Sequence, residues 1–336
     1  MNSPGSGLTT AFTKQAGIEL PLICGAMFPC GNPKLVAAVS EAGGIGIVQP
    51  MSLVYIHGHE FRSGLKLIRS LTDKPIGFNA IVERSSRRYE ERMRNWVDMA
   101  IEEGIRFFIT ALGNPKWVVD KVHSAGGFVY HDVTSGRWAQ KAIDHGVDGL
   151  ICVNNRAGGH LGVQPADRLY RELSKFGVPL ICAGGISTPE GFRGCIEMGY
   201  AGVQMGTRFI AAEECGVHPD YKEAIVNACA DDIVTTERIS GMPLSVIGTE
   251  HTKKAGTKAG PIAKWLLKGK RTKQWMRMYY YIRSTGKMKN ASLKGGGYKD
   301  YFVAGKSVEG IKSVEPAGEI VKKITSTVRQ AGSKLR

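Results

Sequence analysis

Several absences narrow the field before any motif is read. No apolar run in the 336 residues is long enough to span a bilayer, which excludes an integral helical membrane protein. Residues 1–14 are polar and small and lack the apolar centre of a secretory signal, so a soluble, cytoplasmic protein is expected. The seven cysteines form no Cys-x-x-Cys pair, and Cys152 and Cys182 sit inside apolar runs; buried thiols in a reducing compartment are expected, with no disulfide framework and no metal site. No Gly-x-Gly-x-x-Gly follows the first strand and no Walker sequence occurs, which removes the main support for the usual dinucleotide and nucleoside triphosphate folds.

Acidic residues are also scarce in one place. Between His251 and Asp300 fourteen Lys and Arg face Asp300 alone, so this stretch holds thirteen of the fifteen excess positive charges. A basic block attracts nucleic acid, anionic lipid or an acidic substrate. Here Trp265-Leu266-Leu267 and residues 275–282 recur at helical spacing, so a solvated helical face with packed aromatics explains it better than base stacking. Nucleic acid is therefore disfavoured as a partner.

What is present is a regular alternation. Apolar strand candidates fall at 21–24, 45–48, 76–81, 106–110, 128–133, 149–153, 178–183 and 202–205. Amphipathic helix candidates separate them at 34–41, 60–70, 89–103, 115–124, 136–145, 166–176 and 189–198, several followed by the glycine expected past a helix end, as in Glu103-Gly104, His145-Gly146 and Met198-Gly199. Eight such units predict an α/β fold, a (β/α)8 TIM barrel. The seventh strand ends in Ala183-Gly184-Gly185-Ile186 and the eighth in Gln204-Met205-Gly206-Thr207-Arg208. Barrels build phosphate sites at these two adjacent tips from backbone N–H groups and a helix start.

The sixth strand candidate runs into Ala157-Gly158-Gly159-His160-Leu161-Gly162, a glycine-lined turn with one histidine. Glycines let backbone approach a flat ligand, and an imidazole titrates near neutrality, so His160 is the candidate catalytic residue. His131 and Thr134, near the end of the fifth strand, are further candidates; His57, His59, His123, His145, His218 and His251 are assigned to surface or packing.

These motifs together carry a family resemblance. Gly25-Ala26-Met27, Ala42-Gly43-Gly44, Gly77-Phe78-Asn79, Ala157-Gly158-Gly159-His160, Ala183-Gly184-Gly185 and Met205-Gly206-Thr207-Arg208-Phe209 occur in an order that resembles the nitronate monooxygenases, formerly 2-nitropropane dioxygenases, over 21–219. The resemblance implies an FMN-binding TIM barrel with an inserted, mainly helical subdomain, and shared ancestry with FMN-dependent enoyl-acyl-carrier-protein reductases and NADH:quinone reductases. It places Ala26, Met27 and Phe28 along the isoalloxazine, Asn79 in hydrogen bonding to it and Gly158 beside it. Gly184, Gly185, Gly206 and Thr207 would hold the phosphate, with Ala183, Gln204 and Met205 at the same strand ends. His160 matches the family's active-site histidine, a base toward nitroalkanes or a hydrogen-bond partner for a nitronate.

Three departures stand out. Arg156 replaces an acid common two residues before the first glycine of the histidine turn, which reverses the local charge and favours an anionic substrate. Asp132 stands where some quinone reductases carry lysine. The segment after Glu213 is long and basic. The expected organisation is a barrel from 1–212 plus 300–336 and a basic helical subdomain, 213–299, over its mouth, bounded by turns at Ser240-Gly241-Met242-Pro243 and Lys294-Gly295-Gly296-Gly297-Tyr298. Three functions stay open: oxidation of alkyl nitronates by O2, reduction of quinones or enoyl thioesters by NAD(P)H, or a barrel without catalysis that binds an anionic partner through 251–300. Assembly as a homodimer is compatible with all three.

Overall fold

The computed structural model describes residues 8–83, 87–237, 243–249, 272, 293–294 and 302–334. In chain order its strands are β1 (Leu22–Cys24), β2 (Ile45–Val48), β3 (Ile76–Ile81), β4 (Phe107–Ala111), β5 (Phe128–Val133), β6 (Gly149–Val153), β7 (Gly159–His160), β8 (Leu180–Ala183), β9 (Gly202–Met205), β10 (Ile233–Thr236) and β11 (Leu244–Ile247). β1 to β6, β8 and β9 pair in parallel and close on themselves, β9 returning to β1 through Ile23 opposite Gln204. This is the (β/α)8 barrel expected from the alternation.

The helices are α1 (Ala11–Ala16), α2 (Pro33–Glu41), α3 (Phe61–Leu71), α4 (Arg87–Glu102), α5 (Lys116–Ser124), α6 (Gly136–Asp144), α7 (Ala166–Leu173), α8 (Pro189–Glu197), α9 (Thr207–Ile210), α10 (Pro219–Asn227) and α11 (Ala317–Lys334). Several start and stop on readable signals. Asn32 caps α2 by accepting from Leu35 N at 2.8 Å, Thr188 caps α8 by accepting from Gly191 N at 3.2 Å, and Pro occupies the first position of both. Gly104, Gly146 and Gly199 take positive φ just past their helices. The last helix, α11, packs between α8 and α2 and completes the outer ring.

Side-chain alternation sorts the barrel strands into two cores. Ile23, Ile45, Ile47, Phe107, Ile109, Tyr130, Ile151, Ile181 and Ala183 pack into the lumen. Their neighbours, among them Leu22, Val48, Phe78, Phe108, Val129, Leu150, Cys182 and Val203, pack outward against the helices. The short α1 plugs the lower end: Phe12 is fully buried and meets Phe107 and Tyr130 at 5.5 and 5.7 Å. Truncating such a side chain costs about 3–5 kcal/mol. Gly149 makes room for the Tyr130 ring, because a Cβ there would fall 2.4 Å from it.

Hydrophobic side chains fill the lower lumen, so among the described residues the lumen opens toward a ligand at its C-terminal end.

The described part of 213–299 differs from the helical expectation. Besides α10 it holds β10 and β11, an antiparallel pair that recruits β7 as its third strand. Ile233-Val234-Thr235-Thr236 is a run of β-branched residues, and such residues fit a pleated surface better than a helix. Residues 238–242, 250–271, 273–292 and 295–301, which carry most of the basic block, its aromatics, most of both bounding turns and the expected helices, lie outside the described residues. Among the described residues no helix is long and apolar enough to cross a membrane, and no cluster of His, Cys, Asp and Glu could hold a metal.

Candidate active site

The loops that follow β6, β8, β9 and β1 interlock. Asn154, just past β6, donates Nδ2–H to Gly184 O at 2.9 Å and accepts from Arg156 N at 2.8 Å, tying the β6 loop to the β8 loop. Gly184 and Gly185 adopt φ +119° and +81°, conformations that L side chains rarely take. A Cβ on Gly184 would fall 2.4 Å from Asn154 Oδ1, and one on Gly158 would fall 3.1 Å from Thr207 Oγ1. Gly206 in turn faces the Met27 sulfur, 3.4 Å from where its Cβ would be. The structure therefore brings Met27, Gly158, Gly184, Gly185, Gly206 and Thr207 into one cluster. Backbone N–H groups of Gly185 and Thr207 donate to no described residue, which leaves donors at the strand tips.

The returning chain completes the cluster. Gly305 N donates to Thr207 Oγ1 at 3.0 Å and Lys306 N to Arg156 O at 3.0 Å, while Ser187 Oγ donates to Ser307 O at 2.7 Å. Residues 302–307 are site-bordering residues that the strand and glycine motifs do not mark. Their signal was Gly305, which fits only because a Cβ would fall 2.4 Å from Gly158 N.

The upper lumen carries polar groups where the lower lumen is apolar. By alternation Asn79, Asp132 and Gln204 share the inward face with Gly77, Tyr130 and Gly202, and Ala183 sits at the same level of its strand's end. Asn79 is buried. Gln204 lies across Gly25, and its Oε1 is enclosed without a hydrogen-bond partner. Asp132 Oδ1 is likewise enclosed and unpartnered, and burial raises the carboxyl to about 7. Ala26 packs at the top of the lumen, with Met27 and Phe28 half-buried beside it. Met205 is a different case: its side chain points out into the helix-facing core, and only its carbonyl reaches the strand tips, accepting from Gly25 N at 3.0 Å.

His131 does not face the lumen. It alternates with Tyr130 and Asp132 and points to the helix layer, where its Nδ1 meets Thr110 Oγ1 at 2.8 Å. That hydroxyl donates to Tyr130 O at 3.1 Å, so it accepts from Nδ1–H. Burial and then the neighbouring His145 lower the His131 imidazole to about 4, which keeps it neutral. Thr134 borders Gly162 at the end of the histidine loop.

His160 stands at the mouth and is exposed. It is not on a free glycine turn: with Gly159 it forms β7, paired antiparallel to Leu244 and Ser245 of β11. Arg156 lies against the β8 tip. With no Cβ on Gly185, the arginine stem lies over that glycine, and its Nη2 reaches Glu309 Oε2 at 3.1 Å. The cation thus borders the strand-tip cluster.

Residues 9–327 match the family model for nitronate monooxygenase. The chain belongs to the nitronate monooxygenase family. It is accordingly a flavin-dependent oxidoreductase. Among relatives, a (3aS,4S,5R,7aS)-5-hydroxy-7a-methyl-1-oxo-octahydro-1H-indene-4-carboxyl-CoA dehydrogenase of Rhodococcus jostii is 30% identical over 246 residues, 73% of this chain and 67% of that one. A nitronate monooxygenase of Pseudomonas aeruginosa is 28% identical over 279 residues, 70% of this chain and 78% of that one. The structure of FabK from Thermotoga maritima superposes with a TM-score of 0.79 at 30% identity and covers 98% of each chain.

The residues present fit a flavin mononucleotide. Backbone donors at the β8 and β9 tips that pair with no described residue suit a phosphate, and two enclosed polar atoms in the upper lumen without a partner among the described residues, Gln204 Oε1 and Asp132 Oδ1, suit the hydrogen-bonding edge of an isoalloxazine.

Proposed function

We propose that this chain oxidises alkyl nitronates, and nitroalkanes that reach the anionic form, with O2 to a carbonyl compound and nitrite or nitrate, using FMN held at the barrel mouth. The observation that carries the proposal is the position of His160: an exposed imidazole fixed by strand pairing two residues beyond Gly158, where an added Cβ would fall 3.1 Å from Thr207 Oγ1 of the strand-tip cluster. Bound flavin supplies the electron transfer and the reaction with oxygen. The chain supplies placement. Gly184, Gly185, Gly206 and Thr207 offer backbone donors to the phosphate. Ala26, Met27, Phe28, Asn79, Ala183, Gln204 and Gly158 shape the bed for the ring, and Met205 contributes backbone alone. His160 takes the α-proton of a neutral nitroalkane at its unprotonated ring nitrogen, or donates a hydrogen bond to a nitronate oxygen when protonated.

A second reading has its own support. The CoA-thioester dehydrogenase relative and the end-to-end match with FabK favour a thioester-directed activity with pyridine nucleotide on the same scaffold, and the basic segment 251–300 suits a phosphate-bearing or acidic carrier. In either reading the segment 213–299 covers the mouth as a subdomain.

One preparation tests both. The nitronate reading expects a yellow protein that releases FMN on denaturation and consumes oxygen with ethylnitronate or propionate-3-nitronate without nucleotide. NADH or NADPH oxidation with a quinone or an enoyl thioester, and no uptake with nitronates, selects the second reading. His160→Asn is expected to retain flavin and lose turnover; unchanged turnover removes His160 from its role.

A further inference from the structure

Among the described residues, Asp132 is the one position in the upper lumen where the chain sets an ionisable group among apolar and amide side chains. Counting from Tyr130, whose ring fills the lumen below, and from Val133, which packs outward, the Asp132 carboxyl points up into the mouth. Its Oδ1 is enclosed and holds no hydrogen bond. A buried carboxyl oxygen without a partner is costly whether the group is charged or neutral, and proteins keep such a group where a ligand completes it.

Among the described residues, the groups packed around it supply no charge. Tyr130, beneath it, and Cys152, on β6, are both pushed up by burial and stay protonated, while His131, on its own strand, is pushed down and stays neutral. Asn79 and Gln204, on the same inward face, do not titrate. Among the described residues no Lys or Arg pairs with Asp132. An isolated carboxyl in such surroundings favours its protonated, donor form.

The edge of a flavin ring alternates carbonyl and ring-nitrogen acceptors with one N–H donor. The upper lumen offers the matching set: Gln204 Oε1 as an unused acceptor and a protonated carboxyl as a donor. We propose that Asp132 binds the isoalloxazine as a neutral acid, donating its carboxyl proton to a ring acceptor, so that flavin binding draws a proton onto the protein. Asp132 is then a positioning residue that links cofactor affinity to pH. The proposal rests on the flavin reading of the site and adds to it the protonation state of one residue.

The test compares wild type with Asp132→Asn, which keeps shape and a donor but cannot ionise. Both apoproteins are titrated with FMN by quenching of flavin fluorescence between about pH 6 and about pH 9, with calorimetry in two buffers of different ionisation enthalpy. Wild type is expected to weaken above neutrality by up to about tenfold per pH unit and to take up a proton on binding. Asp132→Asn is expected to lose that slope and that proton. Equal slopes and equal proton uptake in the two proteins overturn the proposal while leaving FMN binding intact, whereas failure of both to bind FMN overturns the flavin reading itself. Should Asp132→Asn not fold, infrared difference spectra of wild type decide. FMN added at mildly alkaline pH is expected to raise a protonated-carboxyl band that shifts in heavy water, and a carboxylate that stays ionised refutes the idea.

Discussion

Replacing Gly184 by alanine tests the strand-tip cluster most directly. Gly184 has φ +119°, and an added Cβ would fall 2.4 Å from Asn154 Oδ1 and 2.6 Å from Ala157 N. Neither neighbour yields easily. Ala157 N is backbone in the turn that carries Gly158, and Asn154 is held at both ends of its amide, to Gly184 O and Arg156 N. Strained backbone costs about 1–3 kcal/mol and an extra methyl in packed surroundings about 1–3 kcal/mol more, together about 2–6 kcal/mol. At about 2.1 cal/mol/K per residue, the 336 residues give an unfolding entropy near 0.7 kcal/mol/K, so the melting temperature should fall by about 3–9 °C. The damage is centred on the donors assigned to phosphate, so FMN affinity should drop at least about thirtyfold, the equivalent of about 2 kcal/mol. Gly194→Ala is the control. Gly194 lies in α8 with no heavy atom near its Cβ position, so alanine there should stabilise by about 0.5–1 kcal/mol and leave FMN binding unchanged. Scanning calorimetry of the apoproteins and fluorescence titration with FMN read both effects. Wild-type FMN affinity in Gly184→Ala would refute the assignment of this turn to the cofactor.

Other expectations follow from charge and burial. Arg156→Gln removes the cation bordering Gly185 and should weaken FMN by about tenfold, an effect that shrinks as salt rises; equal affinity in low and high salt for both proteins sinks the idea. Asp132 is held well above its ordinary value in the fold, so its ionisation opposes folding as pH rises from the usual carboxyl range to about 7. Apo Asp132→Asn should therefore be more stable than wild type by a few kcal/mol above neutrality, with the advantage vanishing near pH 4, as urea unfolding would show. His131 has the opposite direction. Its folded value of about 4 lies below the ordinary 6.5, so stability is full above 6.5 and is lost as pH falls toward 4, by on the order of 3 kcal/mol; His131→Gln should flatten that acid limb. Six of the seven cysteines are buried and Cys229 is exposed, so one thiol should react with Ellman's reagent in native protein and none in Cys229→Ser.

Much of the barrel is legible in the chain because parallel strands covered on both faces are continuous apolar runs. The segments 45–48, 76–81, 128–133, 149–153 and 202–205 read at their observed bounds for that reason. The reading of 178–183 starts early because Val178 and Pro179 continue the apolar run, yet proline has no N–H to give a ladder and β8 begins at Leu180. The helix read over 166–176 ends at Leu173 and tightens into a short 3-10 turn before Gly177. Pairing across sequence distance left no local trace. His160 looks like part of a loop until Leu244 is placed opposite it, and the β-branched run at 233–236 is too short to announce a strand without its partner β11. At the site, glycine pairs mark the strand tips well. That Asp132 rather than His131 faces the lumen follows from counting in twos from Tyr130, but that its carboxyl oxygen lacks a partner emerges only from packing.

The short strand bearing His160 takes its register from Leu244 and Ser245, residues outside the barrel wall, while the glycines at the strand tips are seated within it. On the proposed reading, cofactor seat and acid–base group have separate foundations in one chain. On that reading, substitutions at Leu244 or Ser245 would alter the reach and tilt of the imidazole while leaving the strand-tip glycines in place.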